Sequence, residues 1–262
     1  MEFGIACDIT AAGPGLLGEI EAAAEAAERS GFASWWASGD REQAGSGGHD
    51  AVLGLQCVAR ATSGLGIRLS GDVLSARSPA VRAKQVATLD WFSGGRLEYG
   101  LDLGAVLGQG SGDSGDQEAN LRTAAEHLAA MRALWSQPRA AFEGERVAFR
   151  GAIALPRPAG GGLKVHVRHG DPAVLRMLAR HADGWLGWLV PADELPAALA
   201  GLAAALGEAG RPAVDVRRTW LVPGDEFAQA RDILSADPAL GVDELVAVFG
   251  TLPAPERVRA LI

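Results

Sequence analysis

Short apolar stretches alternate with longer amphipathic stretches along the whole chain. Residues 2–6 form the first apolar stretch, and residues 16–30 then place Leu16, Ile20 and Ala24 on one helical stripe. The alternation recurs, so the pattern predicts eight strand–helix pairs. The predicted strands span residues 2–6, 33–37, 65–69, 97–100, 163–167, 184–187, 214–222 and 244–249. The predicted helices span residues 16–30, 50–62, 79–92, 118–135, 172–181, 192–209, 225–235 and 255–262.

Strands that alternate with helices of this length indicate a parallel sheet. Eight such units in 262 residues fit a closed barrel better than an open doubly wound sheet, which they would make unusually long. No dinucleotide-binding fingerprint follows the first predicted strand. The sequence therefore predicts an α/β fold, a TIM (β/α)8 barrel formed as a single domain by residues 1–262. Segment 141–149 is interpreted as an excursion from the barrel pattern.

Composition and charge narrow the functional classes. Hydrophobic residues make up 48% of the chain, which is enough apolar material for a packed core. The 24 basic and 32 acidic residues give a net charge of −8, which argues against a phosphate-neutralising nucleic-acid surface. No apolar run approaches the ~20 residues that cross a bilayer, and the first residues do not resemble a signal peptide. We expect a cytoplasmic protein without nucleic-acid or membrane partners, whose Cys7 and Cys57 are reduced.

An aspartate follows each of the first four predicted strands, at Asp8, Asp40, Asp72 and Asp102. In a parallel barrel the carboxyl ends of the strands meet at one mouth, where active sites lie. Aspartates are common in turns and helix caps, so at least two of the four are expected to be structural. Alternatively, neighbouring carboxylates raise one another's pKa and make proton transfer possible near neutral pH. A divalent metal is less favoured, because no histidine joins these aspartates at a strand end.

Arg168-His169-Gly170 occupies the other half of the predicted mouth, before a helix that Asp171 is placed to cap. Backbone N–H groups at a helix N-terminus, together with cationic side chains, suit a phosphate. An ordinary capped helix with solvent-facing Arg168 and His169 explains the same residues, and both interpretations stay open. The glycine-rich segment 110–115 matches a dinucleotide motif weakly and is interpreted as a flexible loop.

Two longer stretches carry a resemblance to a known family. Residues 77–90 read RSPAVRAKQVATLD, and residues 93–100 read SGGRLEYG. Shorter supporting stretches stand in family order at residues 26–34, 132–135, 182–185 and 241–246. The ordered set resembles the bacterial luciferase-like monooxygenase and coenzyme F420-dependent oxidoreductase family.

The resemblance implies a TIM-like barrel that holds a redox cofactor across its mouth. Coenzyme F420, an 8-hydroxy-5-deazaflavin, is the first choice and FMN the second. The family likeness also implies a bulge with a non-prolyl cis peptide bond after the third strand, at Ser70–Gly71 or Gly71–Asp72. The coenzyme phosphate is expected near Arg168-His169-Gly170. The expected cofactor-binding residues are Ser38, Ser70, Gly71, Gly100, Asp102, Arg168, His169 and Gly170.

The chain departs from the family pattern at the expected proton donors. Gly39-Asp40 stands in place of an Asp-His pair, and Ala105 and Gly108 stand in place of a glutamate and an asparagine. We therefore expect Asp40 or Asp72 to be the catalytic residue that supplies the proton.

The resemblance implies hydride transfer to or from an electron-poor C=C, C=N or C=O carbon. The loops after strands one, four and seven are short for the family, which suits a small molecule that is bulky or peptide-like. An FMN-dependent monooxygenase is the first alternative, and a non-catalytic barrel that binds a flavin or a partner protein is the second. Barrels of this family commonly dimerise through outer helices, so a homodimer is also expected.

Overall fold

The computed structural model describes residues 1–10, 15–38, 49–73, 78–103 and 117–262. Its strands are β1 (Glu2–Asp8), β2 (Ser34–Ser38), β3 (Gly66–Asp72), β4 (Leu97–Asp102), β5 (Ala140–Glu143), β6 (Ala148–Ala152), β7 (Val165–Arg168), β8 (Gly184–Trp188), β9 (Arg217–Pro223) and β10 (Glu244–Phe249). Its α-helices are α1 (Leu16–Arg29), α2 (Ala51–Ala61), α3 (Pro79–Ser93), α4 (Gln117–Ser136), α5 (Pro172–His181), α6 (Leu195–Glu208), α7 (Phe227–Ala236) and α8 (Pro255–Arg259). Within these ranges, no helix is both long enough and apolar enough to cross a membrane.

Eight of these strands close into a parallel barrel. They pair in the order β1, β2, β3, β4, β7, β8, β9 and β10, and β10 pairs with β1. The closed barrel with helices between its strands confirms the predicted fold class. The excursion predicted at residues 141–149 is an antiparallel hairpin of β5 and β6, which forms a separate two-stranded sheet.

Alternation of side chains along the strands separates two apolar layers. One set points outward and packs against the helices, as Ile5, Trp35 and Ile67 do. The other set points into the barrel and forms a much smaller apolar cluster of Ala6, Trp36, Leu186, Leu221 and Val246. This inner cluster lies midway along the strands, so the two ends of the barrel interior are open to polar residues.

The end of β3 carries the bulge that the family resemblance implies. The register of β3 against β4 shifts between Leu69 and Asp72. A Cβ atom at Gly100 of β4 would collide with the carbonyl oxygen of Leu69 and crowd Ser70. Glycine at this position therefore gives the bulge its room.

The prediction of a non-prolyl cis peptide bond in this bulge is wrong. Leu155–Pro156 is the only cis peptide bond among the residues described, so Ser70–Gly71 and Gly71–Asp72 are both trans. Both peptide bonds of the bulge thus have the lower-energy trans form.

The stretches that carry the family resemblance build the frame of the barrel. The Arg96 guanidinium donates hydrogen bonds to the carbonyl oxygens of Ala59, Thr62, Leu65 and Ser93. The Asp90 carboxylate accepts hydrogen bonds from the backbone N–H groups of Leu97 and Ala159. These contacts tie α2, α3 and β4 together, away from the mouth.

Candidate active site

Three side chains at the ends of β4, β7 and β8 form a stacked group that we call the mouth cluster: Asp102, Arg168 and Trp188. Arg168 Nη1 lies 3.2 Å from Asp102 Oδ2, and Arg168 Cζ lies 3.8 Å from the ring centre of Trp188. The indole face attracts the cation, while the carboxylate holds one edge of the guanidinium. The side chains of Arg168 and Asp102 keep 15% and 13% of their surface exposed. The cluster is therefore a cation fixed in orientation and within reach of solvent.

Helix α5 begins next to Arg168 and has an acidic cap. Asp171 Oδ1 accepts a hydrogen bond of 2.8 Å from the backbone N–H of Ala173, which confirms the predicted cap. His169 has a φ of 129°, a strained value for a residue with a Cβ atom. Its Nδ1 accepts a hydrogen bond of 3.1 Å from the backbone N–H of Asp171. An anion at this helix end, beside Gly170, would meet both the cation of Arg168 and the carboxylate of Asp171.

Asp72 points away from the barrel interior. The bulge gives β3 an extra residue, so Asp72 pairs with Leu101, which belongs to the outer apolar layer. The Asp72 carboxylate is 5% exposed, lies 2.8 Å from Arg82 Nε, and accepts a hydrogen bond from the Tyr99 hydroxyl. Burial raises the pKa of Asp72, and the charge of Arg82 opposes that rise. Asp72 thus supports the end of β3, and its role as proton donor stays a prediction.

Arg82 is a buried cation that sequence reasoning missed. It is 2% exposed, and its Nη1 lies 3.4 Å from both carboxylate oxygens of Asp50, the N-cap residue of α2. Arg82 therefore joins α2, α3 and the end of β3. The sequence carries a signal for this role, because Arg82 lies on the same stripe of α3 as the buried residues Ala83 and Val86. An arginine on a buried stripe requires a carboxylate partner.

The remaining predicted residues at strand ends are buried. Asp8 Oδ1 accepts a hydrogen bond of 2.8 Å from the backbone N–H of Thr10. Ser70 Oγ donates one of 3.0 Å to the carbonyl oxygen of Ala37, and Ser38 ends β2 at 3% exposure. Asp8, Asp72 and Asp102 thus each have a separate donor or cation. Within the described ranges, no group of three His, Cys, Asp or Glu side chains has the geometry to hold a metal ion.

The structure brings only part of the predicted site together. Asp102 and Arg168 are in contact, while Ser70, Gly71 and Gly100 share the bulge at the end of β3. Several other predicted positions lie outside the described residues: Gly39, Asp40, Ala105, Gly108 and segment 110–115.

A second polar cluster, which sequence reasoning also missed, fills the barrel interior at the N-terminal end of the strands. We call it the floor cluster; its members are Glu2, Ser34, Arg68, Glu98, His166, Arg217, Thr219 and Glu244. Glu244 is fully buried and accepts hydrogen bonds from Arg68 Nη1 and the Ser34 hydroxyl. Its Oε2 also lies 3.3 Å from Arg217 Nη2. One carboxylate therefore links four strands.

Glu98 holds the other side of the floor cluster. Its Oε2 lies 3.1 Å from Arg68 Nε and 2.7 Å from His166 Nε2. Burial by itself would raise the pKa of Glu98, but the hydrogen bond with His166 and the charge of Arg68 lower it to about 2. Gly184 leaves room for the imidazole of His166, because a Cβ atom at this position would collide with the ring. Charged residues at interior positions of otherwise apolar strands are the sequence signal for this cluster.

The mouth fits a flat redox cofactor with an anionic tail. The bulge of β3 presents backbone at the strand end, where Gly100 has no side chain. Arg168 offers a cation that Trp188 and Asp102 hold in place. The residues that would hold such a cofactor are therefore present, with Asp102 and Asp171 as the adjoining carboxylates.

Active sites of (β/α)8-barrel enzymes lie at the carboxyl ends of the strands, which is where Arg168 is held. Residues 1–233 match the luciferase-like monooxygenase family. The chain belongs to this family, whose members are F420- or flavin-dependent oxidoreductases and monooxygenases. The resemblance found in residues 77–100 is thereby confirmed.

Proteins with a similar sequence include an enzyme named for each of the two predicted cofactors. The uncharacterized protein Rv0953c of Mycobacterium tuberculosis is 33% identical over 214 residues, which are 78% of this chain and 75% of that protein. The FMNH(2)-dependent dimethylsulfone monooxygenase of Pseudomonas putida is 27% identical over 87% of this chain and 64% of its own length. The F420-dependent glucose-6-phosphate dehydrogenase of Rhodococcus erythropolis is 34% identical over 42% of this chain and 33% of its own length.

Solved structures with this fold also include F420-dependent enzymes. The F420-dependent tetrahydromethanopterin reductase of Methanopyrus kandleri superimposes with a TM-score of 0.77 at 16% identity, over 99% of this chain and 96% of its own. An F420-dependent secondary alcohol dehydrogenase gives a TM-score of 0.79 at 13% identity, over 100% of this chain and 98% of its own. At these identities the likeness establishes the fold.

Proposed function

We propose that the protein is a coenzyme F420-dependent oxidoreductase that moves a hydride to or from an electron-poor C=C, C=N or C=O carbon. The observation that carries this proposal is the mouth geometry, in which the β3 bulge and the fixed cation Arg168 lie at the same end of the barrel. When bound, the deazaflavin supplies a two-electron hydride donor or acceptor. The F420-dependent relative at 34% identity supports this choice of cofactor.

The chain's own residues would perform three tasks in this reaction. Arg168 would bind the anionic tail of the coenzyme, and its contacts with Asp102 and Trp188 orient it before the ligand arrives. The backbone of Ser70–Gly71 would support the ring. Asp40 would hold the proton for the atom next to the hydride-accepting carbon, a role also predicted for Asp72, whose carboxylate faces Arg82 instead.

A cofactor titration tests this proposal. Purified protein is titrated with oxidised and reduced coenzyme F420 and, separately, with FMN, while the absorbance of each cofactor is followed. We expect saturable binding of coenzyme F420 that is tighter than binding of FMN. No binding of either cofactor contradicts the proposal and favours the non-catalytic barrel.

The proton donor is tested by two matched variants. Asp40→Asn is expected to lower turnover and to leave coenzyme affinity nearly unchanged, because the amide cannot supply the proton. Asp72→Asn is expected to lower stability, because it removes one carboxylate partner of the buried Arg82. Asp232→Asn, at an exposed residue within α7, is the control. If Asp40→Asn keeps the full rate, the proton-donor assignment is wrong.

An FMN-dependent monooxygenase is the second candidate function. The dimethylsulfone monooxygenase relative aligns with 87% of this chain, which is the observation in its favour. Tight binding of FMN, with oxygen uptake on reduction, would select this function. For either reaction, the short loops expected after strands one, four and seven lead us to propose a bulky or peptide-like substrate.

We also propose that the protein forms a homodimer through the outer face of α3. Trp91 and Phe92 are 62% and 67% exposed, and Val81 lies three turns before Phe92 on the same face. Large apolar side chains exposed together are typical of interaction surfaces. Light scattering of Phe92→Asp is expected to show monomers where the parent protein shows dimers. Val214→Asp, at the most exposed valine described, is the control and should leave the mass unchanged.

A further inference from the structure

Three buried polar residues, which we call the bulge network, lie behind the β3 bulge: Asp72, Arg82 and Tyr99. Arg82 Nε lies 2.8 Å from Asp72 Oδ2, and Arg82 Nη2 donates a hydrogen bond of 3.1 Å to Asp72 Oδ1. The Tyr99 hydroxyl also donates to Asp72 Oδ2. Exposure is 5% for Asp72, 2% for Arg82 and 0% for Tyr99. The Asp72 carboxylate is thus held from two sides, by α3 and by β4.

Contacts with α4 fix both donors of the bulge network. The Trp135 ring packs edge-on against the Tyr99 ring, and the two ring centroids are 6.2 Å apart. Trp135 Nε1 donates a hydrogen bond of 3.0 Å to the carbonyl oxygen of Ala83, the residue after Arg82. The contacts therefore run in a closed path from α3 through β3, β4 and α4 back to α3. This path fixes the orientation of the Asp72 carboxylate.

Stability alone does not require a charge at the end of β3. Asp72 lies beside Leu101 in the outer layer, where apolar side chains pack against the helices. Apolar side chains of similar volume often stabilise a protein as much as a buried ion pair does, because desolvation offsets the attraction of the pair. What the pair adds is direction, since a two-point contact between guanidinium and carboxylate fixes the geometry of both groups. The bulge network therefore fits a positioning role.

The part of the backbone that the network holds is the bulge itself. Ser70 Oγ donates a hydrogen bond of 3.0 Å to the carbonyl oxygen of Ala37, which ties the bulge to β2. Asp72 ties the other end to α3, so Gly71 lies between two fixed neighbours. We propose that Arg82 is a positioning residue, which acts through Asp72 to hold this backbone where the coenzyme ring binds. This step rests on the proposed function, in which the same backbone supports the ring.

An apolar version of the network separates positioning from stability. A triple variant with Arg82→Met, Asp72→Val and Tyr99→Phe replaces the polar groups by apolar ones, so the midpoint of urea unfolding should stay near that of the parent protein. Affinity for coenzyme F420, followed by its absorbance, should nevertheless fall about tenfold, because the ring loses a fixed support. Glu244→Gln in the floor cluster is the reverse control, which should lower the midpoint and leave coenzyme affinity unchanged.

Hydrogen–deuterium exchange of the free protein gives a second readout, which needs no coenzyme. Backbone amides of β3 (Gly66–Asp72) should exchange faster in the triple variant than in the parent protein, whereas those of β9 should not change. Arg82→Lys keeps the charge but loses the two-point contact, so it should fall between the parent protein and the triple variant in both measurements. If the triple variant does not fold, Tyr99→Phe alone makes the same comparison at a smaller magnitude.

Three outcomes would overturn the proposal. The first is coenzyme affinity in the triple variant equal to that of the parent protein, and the second is unchanged exchange across β3. The third is a loss of affinity in Glu244→Gln as large as that in the triple variant, which would make the effect one of stability. Failure of the parent protein to bind the coenzyme contradicts the proposed function itself, while the exchange measurement still decides whether Arg82 holds the bulge.

Discussion

The floor cluster and the mouth cluster lie at opposite ends of the same barrel, and they use charge differently. In the floor cluster, Glu244 is fully buried and meets Arg68 and Arg217 at once. In the mouth cluster, Arg168 and Asp102 form a pair that stays partly exposed. The floor cluster thus links strands around one fully buried carboxylate, Glu244, whereas both members of the mouth pair keep part of their side chains exposed.

This difference indicates which charges a ligand can use. A buried ion pair loses much of its attraction to the cost of desolvation, but removal of one partner leaves an uncompensated charge in the interior. Replacement of one partner in a partly exposed ion pair lowers the free energy of unfolding less. We therefore expect floor variants to change stability and mouth variants to change binding.

Glu244→Gln gives the largest expected effect. The amide leaves the charges of Arg68 and Arg217 without their buried carboxylate, so the free energy of unfolding should fall by about 3 kcal/mol or more. Urea unfolding measures this change. Glu25→Gln, which breaks an exposed ion pair with Arg29, is the matched control and should cost less than about 1 kcal/mol. Equal losses in the two variants would show that the floor cluster is no more sensitive than the surface.

The second-largest expected effect is a loss of stability at acidic pH, which arises in the floor cluster. The pKa of Glu98 is lowered from 4.5 to about 2, so its contribution to stability is complete above pH 4.5 and is lost as the pH falls towards 2. The loss should be on the order of 3 kcal/mol. Unfolding measured between pH 5 and pH 2 follows it, and Glu98→Gln should flatten the profile in this window. A parallel profile in the variant would show that other carboxylates cause the loss.

The fold was predictable from sequence because its signal is repeated. Each barrel strand has an apolar outer set and is followed by an amphipathic segment, and eight repetitions leave few alternatives. The hairpin of β5 and β6 lies outside that repeat, and only its position was predicted. The bulge at the end of β3 was predicted correctly from the family likeness, whereas the cis peptide bond predicted within it was wrong.

The site was less predictable because partners across the barrel are not visible in sequence order. Asp72 follows a strand, as a mouth residue does, but the bulge turns it towards Arg82. Arg168 was expected to meet a phosphate, and the structure adds Asp102 as its present partner. Each of these pairings depends on register between distant segments, which composition and spacing do not determine.

Arg168→Gln tests the mouth cluster. The variant loses the cation, so affinity for coenzyme F420 should fall about tenfold to hundredfold. The free energy of unfolding should fall less than in Glu244→Gln, since the Arg168–Asp102 pair is less buried than Glu244. Arg168→Lys keeps the charge but loses the planar contact with Trp188, and it should show a smaller loss of affinity. Unchanged affinity in Arg168→Gln would place the anionic tail elsewhere.

Asp171→Asn has the smallest expected effect and addresses the two interpretations of the α5 N-terminus. Asparagine caps a helix as well as aspartate does, so stability should stay within about 0.5 kcal/mol. The variant removes a negative charge beside Arg168, and a phosphate-bearing coenzyme at this helix end should then bind a few-fold more tightly at low salt. Titration at two ionic strengths measures this gain. If affinity does not rise, α5 is an ordinary capped helix, and the mouth cluster binds its anion without it.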